Sequence, residues 1–340
     1  MLKTLKQATL GALKTAGALS LVHDSGWRRR RLAILAFHSV SLSDEHLWNP
    51  GQFIEAKVLR SRLQTLSTLG CSVLPLGEAV ARLYAGDLPE RAVVITFDDG
   101  TSDFYRRAFP ILKEFGFPVT LYLTTFYSEY NRPVFDLMCS YLLWLGREKT
   151  LDLKHFTGQS SRADLRDESA RIALFHRIHA YTREQKMDAE TKDALNAALA
   201  AELGVDYEAL IAQRVMHNLS ADEVKQLSEA GVDIELHTHR HRAPLDRALF
   251  VREIDDNRAS IRRMTGKNPT HFCYPSGVYD LALLPWLKEA GVVSATTCEL
   301  GLASRTSDPL LLPRLLEVSG LTPIEFEGLL TGASFALPRR

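Results

Sequence analysis

Two short runs in this 340-residue chain hold the residue types that metal and hydrolytic chemistry require. Asp98, Asp99 and Gly100 follow an apolar run at 93–97. Adjacent carboxylates at the end of a buried strand are costly unless a metal, a cation or hydrogen-bond donors meet their charge. A turn capped by Asp98 or Asp103 would use the same residues without chemistry. The second run favours the chemical reading, because three of the chain's 11 histidines fall at His237, His239 and His241, directly after the apolar run 232–236. Two neutral imidazoles and one carboxylate make an open metal site with room for water or substrate. Spacing leaves the second imidazole undecided: His237 and His241 share a face on a helical turn, His237 and His239 on a strand. A non-haem iron oxygenase would use the same ligand types, but a further carboxylate beside the ligand, Asp98, suits a hydrolytic base better.

Such groups need strands that end together. Apolar runs at 32–37 (ending at His38), 71–74, 93–97, 119–123, 232–236, 271–274 and 292–296 read as strands, and helical patterns such as 104–115 and 250–264 separate most of them. This alternation predicts a parallel sheet, open or closed into a barrel, with ligand chemistry at the carboxyl ends of the strands. Residues 127–219 break the rhythm with helical periodicity and no strand signal, which predicts a helical insertion over one rim. Residues 1–30 form a separate amphipathic, basic segment: Leu2, Leu5, Ala12, Leu13, Ala16 and Leu19 recur at helical spacing before the basic run 28–31. That pattern suits peripheral contact with an anionic membrane, or a helix packed on the body, the commoner use of amphipathic helices. The catalytic unit is expected over 31–335, with 338–340 as a loose tail.

Forty-one basic residues balance 41 acidic ones, so no overall charge draws the chain to nucleic acid, and none is expected as a partner. Cys71, Cys139, Cys273 and Cys298 stand too far apart in sequence for a disulfide scaffold or a thiolate zinc motif, and a reducing, cytoplasmic setting is the expectation.

The motifs resemble those of the polysaccharide deacetylases, the NodB-homology or carbohydrate esterase four group, in Thr96, Phe97, Asp98, Asp99, Gly100 and then His237, Thr238, two residues and His241. Leu35, Ala36, Phe37, His38, Ser39, Val40 and Phe272, Cys273, Tyr274, Pro275, Ser276, Gly277 are similar to the branch that includes poly-N-acetylglucosamine deacetylases. The resemblance implies an α/β fold, a distorted (β/α)7-type barrel, and metal-dependent N-deacetylation of a saccharide containing N-acetylhexosamine. It implies one divalent ion, zinc first and cobalt, nickel, manganese or iron as alternatives, on Asp99, His237 and His241. Asp98 would be the general base, and a backbone N–H among Tyr274, Pro275, Ser276 and Gly277 would receive the oxyanion. Hydrolysis of another linear or cyclic amide, or saccharide binding without turnover, are the alternatives. Two departures stand out. The third motif lacks the family's arginine, which leaves Arg314 as the candidate to orient Asp98. No histidine follows His271, so the family's late acid has no counterpart. His38, at the end of the first strand, is the candidate acid or else a support for a metal ligand.

Overall fold

Seven parallel strands close on themselves in a computed structural model that describes residues 2–158 and 161–337. They are β1 (Arg31–Phe37), β2 (Ala92–Phe97), β3 (Thr120–Leu123), β4 (Asp233–Leu236), β5 (His271–Cys273), β6 (Ser294–Leu300) and β7 (Leu312–Leu316). Each pairs with the next, and β7 returns to β1 through Leu35 opposite Leu315, which completes the barrel. Most residues of these strands are buried on both faces, as a parallel sheet wrapped in helices demands, although β6 ends on the exposed Glu299 and Leu300. On β2, Val93, Ile95 and Phe97 join the main core with helix residues such as Leu59, Leu63 and Ile111. Val94 instead clusters with Leu32, Ile34 and Tyr122, and the helix Leu76–Ala85 adds Leu76, Ala79 and Leu83.

Two expectations about strands change. The run 71–74 contributes only Ser72–Val73, paired to the start of β2 outside the closed ring. The closing strand is Leu312–Leu316, which the pattern does not mark, because Pro313, its second residue, argues against a ladder position. Pro313 is accommodated because the recorded pairings of this strand fall on Leu312, Arg314, Leu315 and Leu316.

Between β3 and β4 the chain leaves the barrel. Helices Phe135–Leu145, Glu168–Glu184 and Ala189–Glu202 pack Met138, Leu142, Leu174, Ile178 and Leu199 into a second apolar cluster, which also takes in Phe53 from the barrel body. This segment is not wholly helical: Thr150–Asp152 and Arg162–Asp164 form a small antiparallel pair, too short to leave a periodic trace.

The N-terminal helices Leu2–Thr15 and Ala18–His23 lie on the C-terminal helix Pro323–Thr331. Leu10 is fully buried, and Lys14 pairs with Glu327 at 2.5 Å. Full burial of one such leucine is worth about 1.5–3 kcal/mol. The basic run does not stand wholly in solvent. Arg28 is buried, and its guanidinium donates to the carbonyls of Leu330, Arg31 and Ala92 at 2.9, 2.6 and 3.2 Å. Those bonds tie both chain ends to the barrel. No helix among the described residues is long and apolar enough to cross a membrane. The tail at 338–340 lies outside the described residues.

Candidate active site

The carboxyl ends of the strands bring the sequence's chemical residues together. Phe37 and Phe97 are direct partners in the β1–β2 ladder, so His38 and Asp98 emerge side by side. Leu236, the last residue of β4, pairs with Leu123 and Phe272, which sets His237 on the same rim.

Asp99 adopts φ 69° and Gly100 φ 76°, left-handed conformations that turn the chain sharply after β2. A methyl on Gly100 would run into the buried Leu123 side chain, so this position also favours glycine for space. The turn is fastened by Asn218, whose Nδ2 donates to the carbonyls of Asp99 and Thr124 at 3.2 and 3.3 Å. Thr238 (φ 63°) and His241 (φ 54°) are likewise left-handed, so neither strand nor helix periodicity governs the histidine run. The result separates the two candidates. His237 Nε2 and His241 Nε2 each lie 3.1 Å from Asp99 Oδ1, whereas His239 is turned away with Nδ1 2.9 Å from Thr125 Oγ1.

Asp99, His237 and His241 thus present ligand atoms within 4.8 Å of one another. The donor chemistry fits a divalent ion. His237 Nδ1 lies 2.8 Å from the Cys273 carbonyl, an acceptor only, so Nδ1 carries the proton and the neutral ring turns its Nε2 lone pair toward the carboxylate. Lone pair and carboxylate repel unless a cation or a proton lies between them. Burial lowers the His237 pKa, but the Asp99 hydrogen bond and charge outweigh it and raise it. Asn257 Oδ1 accepts the His237 backbone N–H at 3.0 Å, and Gln52 Nε2 donates to Asp99 Oδ2 at 3.2 Å. Such outer partners fix ligand orientation. Gln52, Asn218 and Asn257 escape sequence reading because lone amides at scattered positions form no pattern.

Asp98 is buried behind this cluster. Arg314 Nη1 and Nη2 donate to its two oxygens at 2.8 and 2.7 Å, and Arg314 Nε donates to the Thr297 carbonyl at 2.9 Å. The structure thus brings to Asp98 an arginine from β7. Burial pushes the Asp98 carboxyl up, but the charge and hydrogen bonds of Arg314 outweigh it and hold it below the ordinary carboxylate range. Asp98, His237 and Cys273 also converge, yet Arg314 Nη2 lies 3.2 Å from Cys273 Sγ, so a positive charge already serves that space.

His38 Nε2 stands 3.7 Å from Asp98 Oδ2, and its Nδ1 is buried without a hydrogen-bond partner among the described residues. The turn beyond it is pinned by Ser39 Oγ against Thr101 Oγ1 at 2.9 Å and by the Val40 N–H donating to Asp103 Oδ2 at 2.7 Å. Burial pushes the Asp103 carboxyl from 3.8 up to about 7. The folded state then binds the proton that the unfolded chain has released, so this group's support for folding is present below about pH 4 and declines as pH rises through 7. Asp103→Asn is expected to flatten that decline, read as a Tm less sensitive to pH between 4 and 7 than in the unmodified protein.

In the third motif Tyr274 turns its ring inward, and its hydroxyl donates to the Leu310 carbonyl at 3.1 Å. The Tyr274 N–H is taken by Thr296 O and the Gly277 N–H by Tyr274 O; Pro275 is buried and has no N–H. Of the four expected residues, only Ser276, at φ 57°, keeps an N–H without a partner among the described residues. The cleft is lined by His38, Asp98, Asp99, His237, His241 and Ser276, and Cys298 also borders it.

The sequence profile of the family described as Polysaccharide deacetylase matches residues 85–172 and 180–295, well over half the chain. The chain belongs to the polysaccharide deacetylase family. Poly-beta-1,6-N-acetyl-D-glucosamine N-deacetylase of Escherichia coli K12 is 32% identical over 100 residues, which are 29% of this chain and 15% of that relative. Two solved structures share the fold. The Streptococcus pyogenes deacetylase PplD in complex with acetate has a TM-score of 0.58 at 18% identity, over 88% of this chain and 98% of that one. IcaB from Ammonifex degensii has a TM-score of 0.55 at 17% identity, over 90% and 97% of the two chains. Within the deacetylase match lie Asp98, Asp99, His237 and His241; His38, Gln52 and Arg314 lie outside it.

Proposed function

We propose that the protein is a metal-dependent hydrolase that removes acetyl groups from N-acetylhexosamine units of a saccharide, with a catalytic unit over 31–335. The observation that carries this reading is one ionised, arginine-held carboxylate, Asp98, beside a cluster of two imidazoles and one carboxylate at the open rim of the barrel. Asp99, His237 and His241 would hold a divalent ion, zinc being the first choice for this nitrogen and oxygen set. Such an ion supplies Lewis-acid polarisation of the amide carbonyl and acidification of water. The chain's own groups do the rest. Asp98 accepts the proton of the attacking water, and Arg314 keeps the carboxylate aimed and charged. The Ser276 N–H faces the charge that develops on the carbonyl oxygen. His38, 3.7 Å from Asp98, returns a proton to the departing amine.

Acetate release from β-1,4- and β-1,6-linked N-acetylglucosamine oligomers, lost on chelation and restored by added zinc, tests the function. Activity unaffected by chelation would remove the metal, and acetate from none of the oligomers would remove the substrate class. For His38, the acid role predicts that His38→Gln keeps normal metal content and loses the alkaline limb of the pH–rate profile. Weakened metal binding, with rate restored by excess zinc, would make His38 a support for the ligands instead.

A further inference from the structure

A second groove opens beside the catalytic cleft, and Asn49 lines both. Its cavity of about 370 Å³ has the size of a small-ligand site. Trp48 comes from the barrel side, Trp144 from the helix Phe135–Leu145 and Phe175 from the helix Glu168–Glu184, both in the long segment between β3 and β4. The indoles are held in place before anything binds. The Arg147 guanidinium sits 4.1 Å from the Trp144 ring centre, Tyr141 stacks on Trp144 at 5.8 Å, and Trp48 packs against Tyr141 at 5.3 Å and Phe53 at 5.7 Å. Neither indole N–H has a partner among the described residues. Glu168 and Arg171 stand at the edge with opposite charges, and Arg171 is already committed to the carbonyls of Leu165 and Arg166.

Aromatic walls, unused N–H donors, an amide and no net charge describe a receptor for a neutral ligand that is apolar in the middle and hydroxylated at its edges. A pyranose has that form. We propose that this groove is a distal subsite for an N-acetylhexosamine unit of the same saccharide chain whose reacting unit lies at Asp99. The proposal rests on the deacetylase reading. The adjacency of the two clefts, which share Asn49 as a lining residue, selects this occupant, and fixed rings make its binding cheap in lost motion.

The test measures, on the full chain, binding of N-acetylglucosamine disaccharide and pentasaccharide by calorimetry, and acetate release from each. The unmodified protein should favour the pentasaccharide. Trp144→Ala should weaken pentasaccharide binding about tenfold, equivalent to about 1.4 kcal/mol, while leaving disaccharide binding and turnover unchanged. Phe175→Ala, on a different helix, should give the same pattern, and Trp144→Phe should restore part of the loss. Equal losses on both sugars, no length preference in the unmodified protein, or a dimer dispersed by Trp144→Ala would each overturn the proposal. If no sugar releases acetate but the pentasaccharide loss persists, the hydrolase reading fails and the groove stands.

Discussion

His237→Ala is expected to empty the metal site and abolish hydrolysis. His237 would supply one of the three proposed protein ligand atoms, and its ring is locked by the Cys273 carbonyl on one side and the Asp99 carboxylate on the other. Loss of an outer partner typically costs roughly 10–100-fold in metal affinity, so loss of a ligand should cost more. Asp99→Ala and His241→Ala should behave alike, and His239→Ala should keep its metal, because that ring bonds Thr125. Elemental analysis after dialysis, paired with acetate release, reads both effects. Retained metal in His241→Ala together with its loss in His239→Ala would overturn the assignment.

Asp98→Asn should separate binding from turnover: metal content stays normal while the rate falls roughly 100-fold or more, the scale for loss of a positioned proton acceptor. The substitution has a second consequence. Arg314 is fully buried and would lose its only carboxylate partner among the described residues, and breaking a buried pair typically costs about 3–5 kcal/mol. A lowered Tm with an intact metal site is therefore part of the expected result. If metal disappears along with activity, Asp98 is a ligand and the base must be sought elsewhere.

The strand ends were legible because a parallel barrel buries whole strands, and apolar runs closed by Asp98, His237 or His38 are hard to mistake. The histidine run was not legible from spacing, since periodicity assumes a regular backbone and Thr238 and His241 are left-handed. Six of the seven barrel strands read as apolar runs; the seventh carries a proline and a buried arginine, Pro313 and Arg314, both poor strand signals. Arg28 escaped for a related reason. Its acceptors, the carbonyls of Arg31, Ala92 and Leu330, include one 302 residues away, and no local pattern marks an arginine that will be buried against such groups. Gln52 and the asparagines that brace the ligands are single amides whose meaning exists only once the rim is assembled.

Barrel closure also imposes an order on synthesis. Asp98 directly follows the second strand and its counterion Arg314 belongs to the last, 216 residues later. At a ribosomal pace of about 5–20 residues per second, the carboxylate waits roughly 10–40 s for its partner to be made. During that interval β1 has one open edge, and the Asp98 carboxylate lacks the guanidinium that will meet both of its oxygens. A nascent or truncated chain that stops before β7 therefore carries every proposed metal ligand and still lacks the counterion of its proposed base, so the proposed hydrolytic activity would wait for the last strand.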